Sequence, residues 1–288
     1  MPQNTAIGRN RFCLLFLRPQ IALQAALYAL LGSLLSHPSG PQWTLTTLLA
    51  LLALMAIVSF GFVINDAVDL ELDRINKPGR WLPAGHLSRT GALVLATLLV
   101  AVVFALALLL PVMLQLFALG NLLLTAAYSL WLKRTVLWGN ATIAYLNSSV
   151  LLYGALLAEG PTFAVGCVAL SSLLYSLSQE VLYTVEDYAG DAHMGIVTTA
   201  VYFGPPQTLT LVQGLLLAAL FSTLMPLVFQ IATHCYLLLL VVCVWLPLLV
   251  WIMPHLRHVE AAGIAQACRA VKWVRVSSLV PFLSLALC

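Results

Sequence analysis

Charge is what this chain has least of. Of its 288 residues only 8% are Asp, Glu, Lys or Arg, against about a quarter in soluble proteins. Too few polar side chains remain to cover a water-facing surface, which excludes an ordinary soluble globular fold. Disorder is excluded as well, because 62% of the residues are hydrophobic and disorder requires low hydrophobicity. No basic run exceeds the pair Lys133-Arg134, and the net charge is +3. That is too little positive charge for a nucleic-acid partner, and none is expected. The six cysteines (Cys13, Cys167, Cys235, Cys243, Cys268, Cys288) form no CxxC pair and no zinc-like spacing. They are expected to be small apolar packing residues. P-loop and GxGxxG signatures are absent, so nothing suggests nucleotide chemistry. Arg18-Pro19 interrupts the first apolar run and no convincing cleavage site follows, so that run is expected to be a retained span rather than a signal peptide.

What is present in quantity is long apolar sequence. A membrane helix needs about 20 mostly apolar residues. Nine stretches qualify, at 20–36, 42–64, 90–110, 112–131, 138–158, 161–182, 207–229, 235–254 and 270–287. The expectation is an all-α, polytopic, multi-pass membrane protein of nine transmembrane helices. Its lipid-facing surface makes membrane lipid a standing partner, and residues 1–19 form a short segment before the first span.

The basic residues orient it. Arg9, Arg11 and Arg18 precede the first span, and Arg74, Lys77, Arg80 and Arg89 follow the second. Lys133 and Arg134 follow the fourth, and Arg257, Arg269, Lys272 and Arg275 follow the eighth. With nine spans all of these fall on the side of the N-terminus. The positive-inside rule makes that side cytoplasmic, in the inner membrane if the source is bacterial.

The acids cluster twice, each time at the expected cytoplasmic end of a span. The first cluster runs from Asn65 to Asp73, with Asp66, Asp69 and Asp73 spaced i, i+3 and i+7. The second has Glu180, Asp187 and Asp191 at i, i+7 and i+11, with Tyr183 beside them. On a helix each set shares one face. Glu71 and Glu186 point elsewhere. Solvated helix ends are the plain alternative. Like-signed carboxylates repel, however, and each costs free energy near a membrane. Bound cations would compensate. Oxygen-only ligands favour a hard ion, and Mg²⁺ takes one or two carboxylates plus phosphate oxygens, so the two clusters together would suit a magnesium-bound diphosphate. Beside them stand Lys77, Arg80, Lys133 and Arg134, whose charges suit phosphate oxygens. An internal echo accompanies the clusters: Asp69 and Asp187 are 118 residues apart, as are Asp73 and Asp191. Spans one to four and five to eight are therefore expected to be related half-bundles.

At these residues the chain resembles the UbiA superfamily of intramembrane prenyltransferases. The first signature, NDxxDxxxD, is matched by Asn65, Asp66, Asp69 and Asp73, and the second, DxxxD, by Asp187 and Asp191. The downstream pattern NxPxRPxPSG appears as Asn76, Pro78, Arg80, Pro83 and Gly85, departing at Trp81 and Ala84. Leu132-Lys133-Arg134, Gly139-Asn140 and the stretch from Gly195 to Gly204 are similar to further family segments. The resemblance covers residues 15–285. It departs ahead of the second signature. Many members carry an Arg-Glu and a Lys-Asp pair there, where this chain has Gln179-Glu180 and Tyr183-Thr184. A basic residue expected near the diphosphate is thus missing.

The resemblance implies one domain over residues 1–288, with the helices around a central cavity and the active site on the cytoplasmic side. It implies an Mg²⁺-dependent transferase of isoprenoid biosynthesis that takes an allylic polyprenyl diphosphate donor. Asp66, Asp69, Asp73, Asp187 and Asp191 would be catalytic through the metal, and Asn65, Lys77, Arg80, Lys133, Arg134 and Tyr183 would bind diphosphate. An allylic cation would need a dry lining with aromatic faces, for which Tyr145, Tyr153, Tyr175, Tyr183 and Phe62 are candidates. A small aromatic or lipophilic acceptor would be oriented by mid-span polar residues, Asn147 and Glu180 foremost, with Asn121, Ser148, Ser149, Ser176 and Ser178 as further candidates. One alternative is a terpene cyclase of the same superfamily, which ionises the diphosphate and closes a terpenoid ring with no acceptor. Another is a cation transporter, although transporter sites lie near the midplane.

Overall fold

The structure, a computed structural model, describes residues 16–37 and 43–287. Arg9, Arg11, Cys13, most of the turn after Ser36 and Cys288 lie outside the described residues. Among the described residues every regular element is a helix. A chain with so few polar side chains must satisfy its own backbone, and a helix does so within each segment.

The described chain divides into two compact units. One is drawn from Met1–Leu27 and Trp43–Leu130, the other from Tyr28–Gln42 and Trp131–Cys288. Helix α1 covers Pro19–Ser36. In the first unit follow α2 (Leu45–Val68), short α3 (Leu70–Asn76), α4 (Arg89–Ala107) and α5 (Val112–Leu130). There α2 packs against α4 and α5. Their outer faces present Leu98, Leu109, Met113, Leu116 and Leu123 as exposed side chains, as a lipid-facing surface requires. The second unit contains α6 (Trp138–Ala155), α7 (Phe163–Glu186), short α8 (Tyr188–His193) and α9 (Thr199–Phe203). It continues with α10 (Pro205–Ser222), α11 (Met225–Val228), α12 (His234–Leu240), α13 (Ala261–Ser277) and α14 (Leu279–Leu287). Helix α7 is its spine, packed against α6, α10 and α13.

The internal echo is architectural. Helices α2 and α7 are both 24 residues long and begin 118 residues apart, at 45 and 163. Each starts on a threonine cap, Thr44 or Thr162, whose hydroxyl accepts from the backbone N–H three residues on, the strongest local signal for a helix start. Each ends at an aspartate, Asp69 or Asp187, and restarts at once as a short helix. Helices α1 and α6 are both 18 residues long, 119 residues apart at 19 and 138. Each is preceded by a residue with positive φ, Arg18 at 50° and Leu137 at 62°. Such backbone is uncommon outside glycine, and its recurrence at matching positions marks the same turn used twice.

Every expected span falls on helix, with four differences. Among the described residues eight helices are long and apolar enough to cross a membrane. Helix α6 is not among them, because Asn140, Thr142, Asn147, Ser148 and Ser149 dilute its apolar content. The seventh expected span breaks after Ser222, where Pro226 cannot continue the bonding of the preceding turn. The eighth passes from α12 into π-helical turns, Val241–Trp245 and Pro247–Ile252. Pro247 lacks an N–H, and a wider turn accommodates that locally. The last helix begins at Ala261 rather than 270. Hydropathy locates apolar windows, whereas Ala, Arg and Lys are good helix formers that extend a helix beyond its apolar part. Arg269 therefore lies within α13 instead of preceding it, alongside Lys272 and Arg275.

Small residues set the closest approach in the second unit. A Cβ placed on Gly154 of α6 would collide with the carbonyl of Ala29 in α1, and one on Gly32 of α1 with the carbonyl of Leu151 in α6. Two glycines thus let two backbones touch, the usual device where lipid supplies no hydrophobic drive between helices. Replacing Gly154 by Ala is expected to cost about 1–3 kcal/mol of stability. The measurement is thermal unfolding of detergent-solubilised protein, and an unchanged midpoint would show that the backbones part without cost.

Candidate functional site

The first acid cluster is built on the joint between α2 and α3. Backbone bonding runs through it unbroken, since Asp69 N–H donates to the Asn65 carbonyl and Asp73 N–H to the Asp69 carbonyl. The joint is a kink, so the i, i+3, i+7 spacing still gathers the carboxylates. Asp66 and Asp73 are only 4% exposed. Asp69, the joint residue itself, is half-buried, while Glu71 is exposed and paired with Arg74 at 2.7 Å.

Two arginines close on these acids. Arg18 Nη2 donates to both oxygens of Asp66, at 3.0 and 2.9 Å. Arg80 Nη1 donates to Asp73 Oδ2 at 2.7 Å and reaches Asp66 Oδ1 at 3.4 Å. The Arg18 guanidinium also lies over the Phe62 ring, 4.3 Å from its centroid. Phe62 does hold a cation on its face, but the cation is a side chain. Burial pushes the Asp73 carboxyl above its usual range, and the charge of Arg80 opposes that shift. Trp81, at the position where the family pattern has proline, sets its ring 5.5 Å from that of His86 and 6.4 Å from that of Phe16. This contact pins the loop that carries Arg80. Lys77 is half-buried in the same loop.

The second cluster sits on the matching joint between α7 and α8. Asp187 N–H donates to the Tyr183 carbonyl, and Asp191 N–H to the Asp187 carbonyl. Asp191 is 5% exposed, Asp187 and Glu180 are half-buried, and Glu186 is exposed. Thr199 on α9 ties the neighbouring turn: its hydroxyl donates to Asn140 Oδ1 at 2.8 Å and accepts from Leu137 N–H at 3.2 Å. That bridge holds the hairpin bearing Lys133, which is half-buried, and Arg134, which is exposed.

The remaining sequence candidates take definite places. Asn147 donates to Ser176 Oγ at 2.7 Å, linking α6 to α7. Tyr145 is 41% exposed. Tyr175 donates its hydroxyl hydrogen to the Val271 carbonyl at 2.7 Å, so it anchors α13. Tyr183 accepts from Gln179 Nε2 at 2.6 Å.

Sequence reading passed over three residues. Arg18 was counted only toward topology, since 48 positions separate it from Asp66. Arg275 and Lys272 were likewise counted only toward topology, although both fall inside the expected last span, 270–287. Arg275 lies inside α13 and donates to Gln179 Oε1 at 3.3 Å, and the Lys272 ammonium lies 5.3 Å from the Tyr183 ring centroid. Cations from another helix therefore stand beside positions 179 and 183.

The carboxylates fit a hard cation in chemistry. Among the described residues no three His, Cys, Asp or Glu side chains form a closed ligand set. Mg²⁺ does not need one, because substrate phosphates and water complete its shell.

The comparisons agree with this architecture. The profile of the UbiA prenyltransferase family matches residues 25–271. The digeranylgeranylglyceryl phosphate synthase of Pyrococcus abyssi is 34% identical over 188 residues, 65% of this chain and 67% of that protein. The Halobacterium salinarum synthase is 40% identical over 149 residues, 52% of this chain and 54% of that protein. Among solved structures, a digeranylgeranylglyceryl phosphate synthase superposes with a TM-score of 0.76 at 26% identity, over 97% of this chain and 99% of that one. A UbiA homologue from Archaeoglobus fulgidus bound to GPP and Mg²⁺ shares the fold, with a TM-score of 0.65 at 18% identity over 94% and 96% of the two chains. Profile, relatives and fold converge, so the chain belongs to the UbiA prenyltransferase family and is an integral-membrane enzyme.

Proposed function

We propose that this enzyme transfers a prenyl group from an allylic polyprenyl diphosphate to a hydroxyl of a lipophilic, glyceryl phosphate-type acceptor, with Mg²⁺ as cofactor. The observation that carries the reading is the repeated joint. Two equivalent helices each end on an aspartate and restart with a second aspartate four residues on. Packing alone has no use for such a device at matching positions of a duplicated chain. The relatives support the acceptor class, being named for a prenylated glyceryl phosphate product.

Asp66, Asp69, Asp73, Asp187 and Asp191 would hold the cofactor. When bound, Mg²⁺ supplies neutralising charge to the departing diphosphate. Arg18 and Arg80 hold Asp66 and Asp73 in place, and their remaining guanidinium N–H donors would suit the phosphate oxygens of the donor. Asn65, Lys77, Lys133, Arg134 and Tyr183 add donors. The transferred carbon loses its bond to the diphosphate oxygen, and the electron pair leaves with the diphosphate. The acceptor oxygen forms the new bond, and its proton passes to the released diphosphate. Donors fixed before the reaction stabilise this charge without reorganising, which is where most rate enhancement of this kind arises. The active site is assigned to the cytoplasmic side on the distribution of basic residues.

The test is diphosphate release from purified protein with Mg²⁺ and a panel of allylic diphosphates, with and without acceptor. Release coupled to a prenylated lipid is the expected result. A hydrocarbon or alcohol formed without acceptor would identify a cyclase instead, and no release under any condition would end the proposal. Asp69→Ala and Asp187→Ala are each expected to lower release at least about 100-fold while inserting normally. Near-normal turnover in either variant would refute the metal assignment. Arg18→Ala is expected to lower kcat/KM for the donor about 10- to 100-fold, and Arg18→Lys to recover part of it, since lysine keeps the charge but loses the two-pronged geometry. Wild-type kinetics in Arg18→Ala would reduce Arg18 to a structural ion pair.

A further inference from the structure

Two cations on α13 have no carboxylate partner. Lys272 and Arg275 are three residues apart, so they share one side of the helix. Among the described residues neither forms an ion pair. Arg275 spends one of its five N–H donors on Gln179, and the Lys272 ammonium lies against the Tyr183 ring. A cation within an apolar helix is costly and marks a site whose partner should be sought.

The surroundings narrow that partner. Arg275 lines a cavity of about 30 Å³ with Tyr28, Ser171, Tyr175 and Ser278, walled on the other side by Val244, Leu248 and Phe282. Most of the hydroxyl hydrogens there are already committed. Tyr28 and Ser278 donate to the Arg275 carbonyl, Tyr175 to the Val271 carbonyl and Ser171 to the Cys167 carbonyl. The charged donors left over in the cavity are those of Arg275; Lys272 stands outside its lining, one turn toward Asp187, and together the two cations suit an anion. The cavity is large enough for a water or two and too small for a lipid tail. The anion is therefore a compact headgroup whose chain lies elsewhere.

The depth is informative. Tyr183, under Lys272, is one turn inward of Asp187, about 6 Å along α7. Gln179, under Arg275, is about 12 Å inward. A diphosphate held at Asp187 would place its reacting carbon near the first of these levels. In a glyceryl phosphate the phosphate is only a few bonds from the hydroxyls, so an anchor at this depth would bring a hydroxyl to that carbon.

We infer that Lys272 and Arg275 form the binding site for the phosphate of the acceptor lipid. This rests on the proposed transfer to a glyceryl phosphate acceptor and assigns that acceptor's headgroup to α13. Gln179 acts through Arg275. It is 3% exposed and bonded at both ends of its amide, which fixes the guanidinium against α7.

The experiment compares a mono-prenylated glyceryl phosphate with its dephosphorylated counterpart, using both transfer kinetics and direct binding by native mass spectrometry. Wild type is expected to prefer the phosphorylated lipid about 100-fold in kcat/KM. Arg275→Met and Lys272→Met are each expected to raise acceptor KM about 10-fold or more, to leave donor KM within about two-fold, and to reduce that preference. Arg275→Lys is expected to recover part of it. Undiminished preference in both methionine variants overturns the inference. So does equal competition by phosphatidylglycerol vesicles, which would identify a site for bulk anionic lipid. Loss of donor release alongside acceptor use, unrescued by Arg275→Lys, also overturns it, because a collapsed helix rather than a lost headgroup contact would explain the effect. Wild-type protein that releases no diphosphate at all would instead defeat the proposed function, and binding of the phosphorylated over the dephosphorylated lipid would still decide the site.

Discussion

The structure depends on compensating carboxylates that have little water to solvate them. Asp66 and Asp73 are almost fully buried at the end of an apolar helix, where an unpaired charge is strongly destabilising. Arg18 and Arg80 supply the compensation, and they do so from the two segments that flank α2 in the first unit. Arg18 reaches Asp66 from the point just before α1 where the backbone turns through positive φ. Arg80 reaches Asp73 from a loop in which Trp81 packs against two rings. Removing either arginine would leave a buried charge, so these contacts fix the fold around the acids proposed to hold Mg²⁺.

Duplication explains why this arrangement occurs twice and why the copies differ. Threonine cap, helix length, aspartate joint and second aspartate recur at a constant offset. The compensating charges do not recur. At the positions corresponding to Asn65 and Asp66 the second half has Tyr183 and Thr184, so it carries fewer acids at its joint. Its nearby cations are borrowed from α13, a helix with no counterpart among the first four. The repeat thus keeps the aspartate joint and changes the charge around it.

The acids and most helices were legible in the sequence because both depend on local spacing. Carboxylates at i, i+3 and i+7 meet on any helix, and an apolar window of about 20 residues is helical wherever it lies. The 118-residue echo, read from two pairs of aspartates, recurs in whole helices. What escaped depends on distance or on continuity. Arg18 and Asp66 are 48 positions apart, and no pattern within either segment announces their pairing. The start of α13 escaped because hydropathy registers where a helix becomes apolar and not where it begins. Lys272 and Arg275 fell inside the expected last span, but no local pattern announced that they would meet Tyr183 and Gln179, the latter 96 positions from Arg275.

The departure ahead of the second signature shows how a substitution can be misread from one strand of sequence. Glutamine at 179 and tyrosine at 183 look like a loss of positive charge, and a site that lost charge beside a diphosphate would bind it less well. Their side chains instead carry what cations need from neighbours. The Gln179 carbonyl oxygen accepts from Arg275, and the face of the Tyr183 ring lies by Lys272. An arginine at 179 or a lysine at 183 would set like charges side by side in a low-dielectric setting and expel one of the pair. The polar residues on α7 and the cations on α13 are therefore mutually dependent. Restoring Arg at position 179 alone should weaken the site, and it should do so less when Arg275 is neutralised in the same protein.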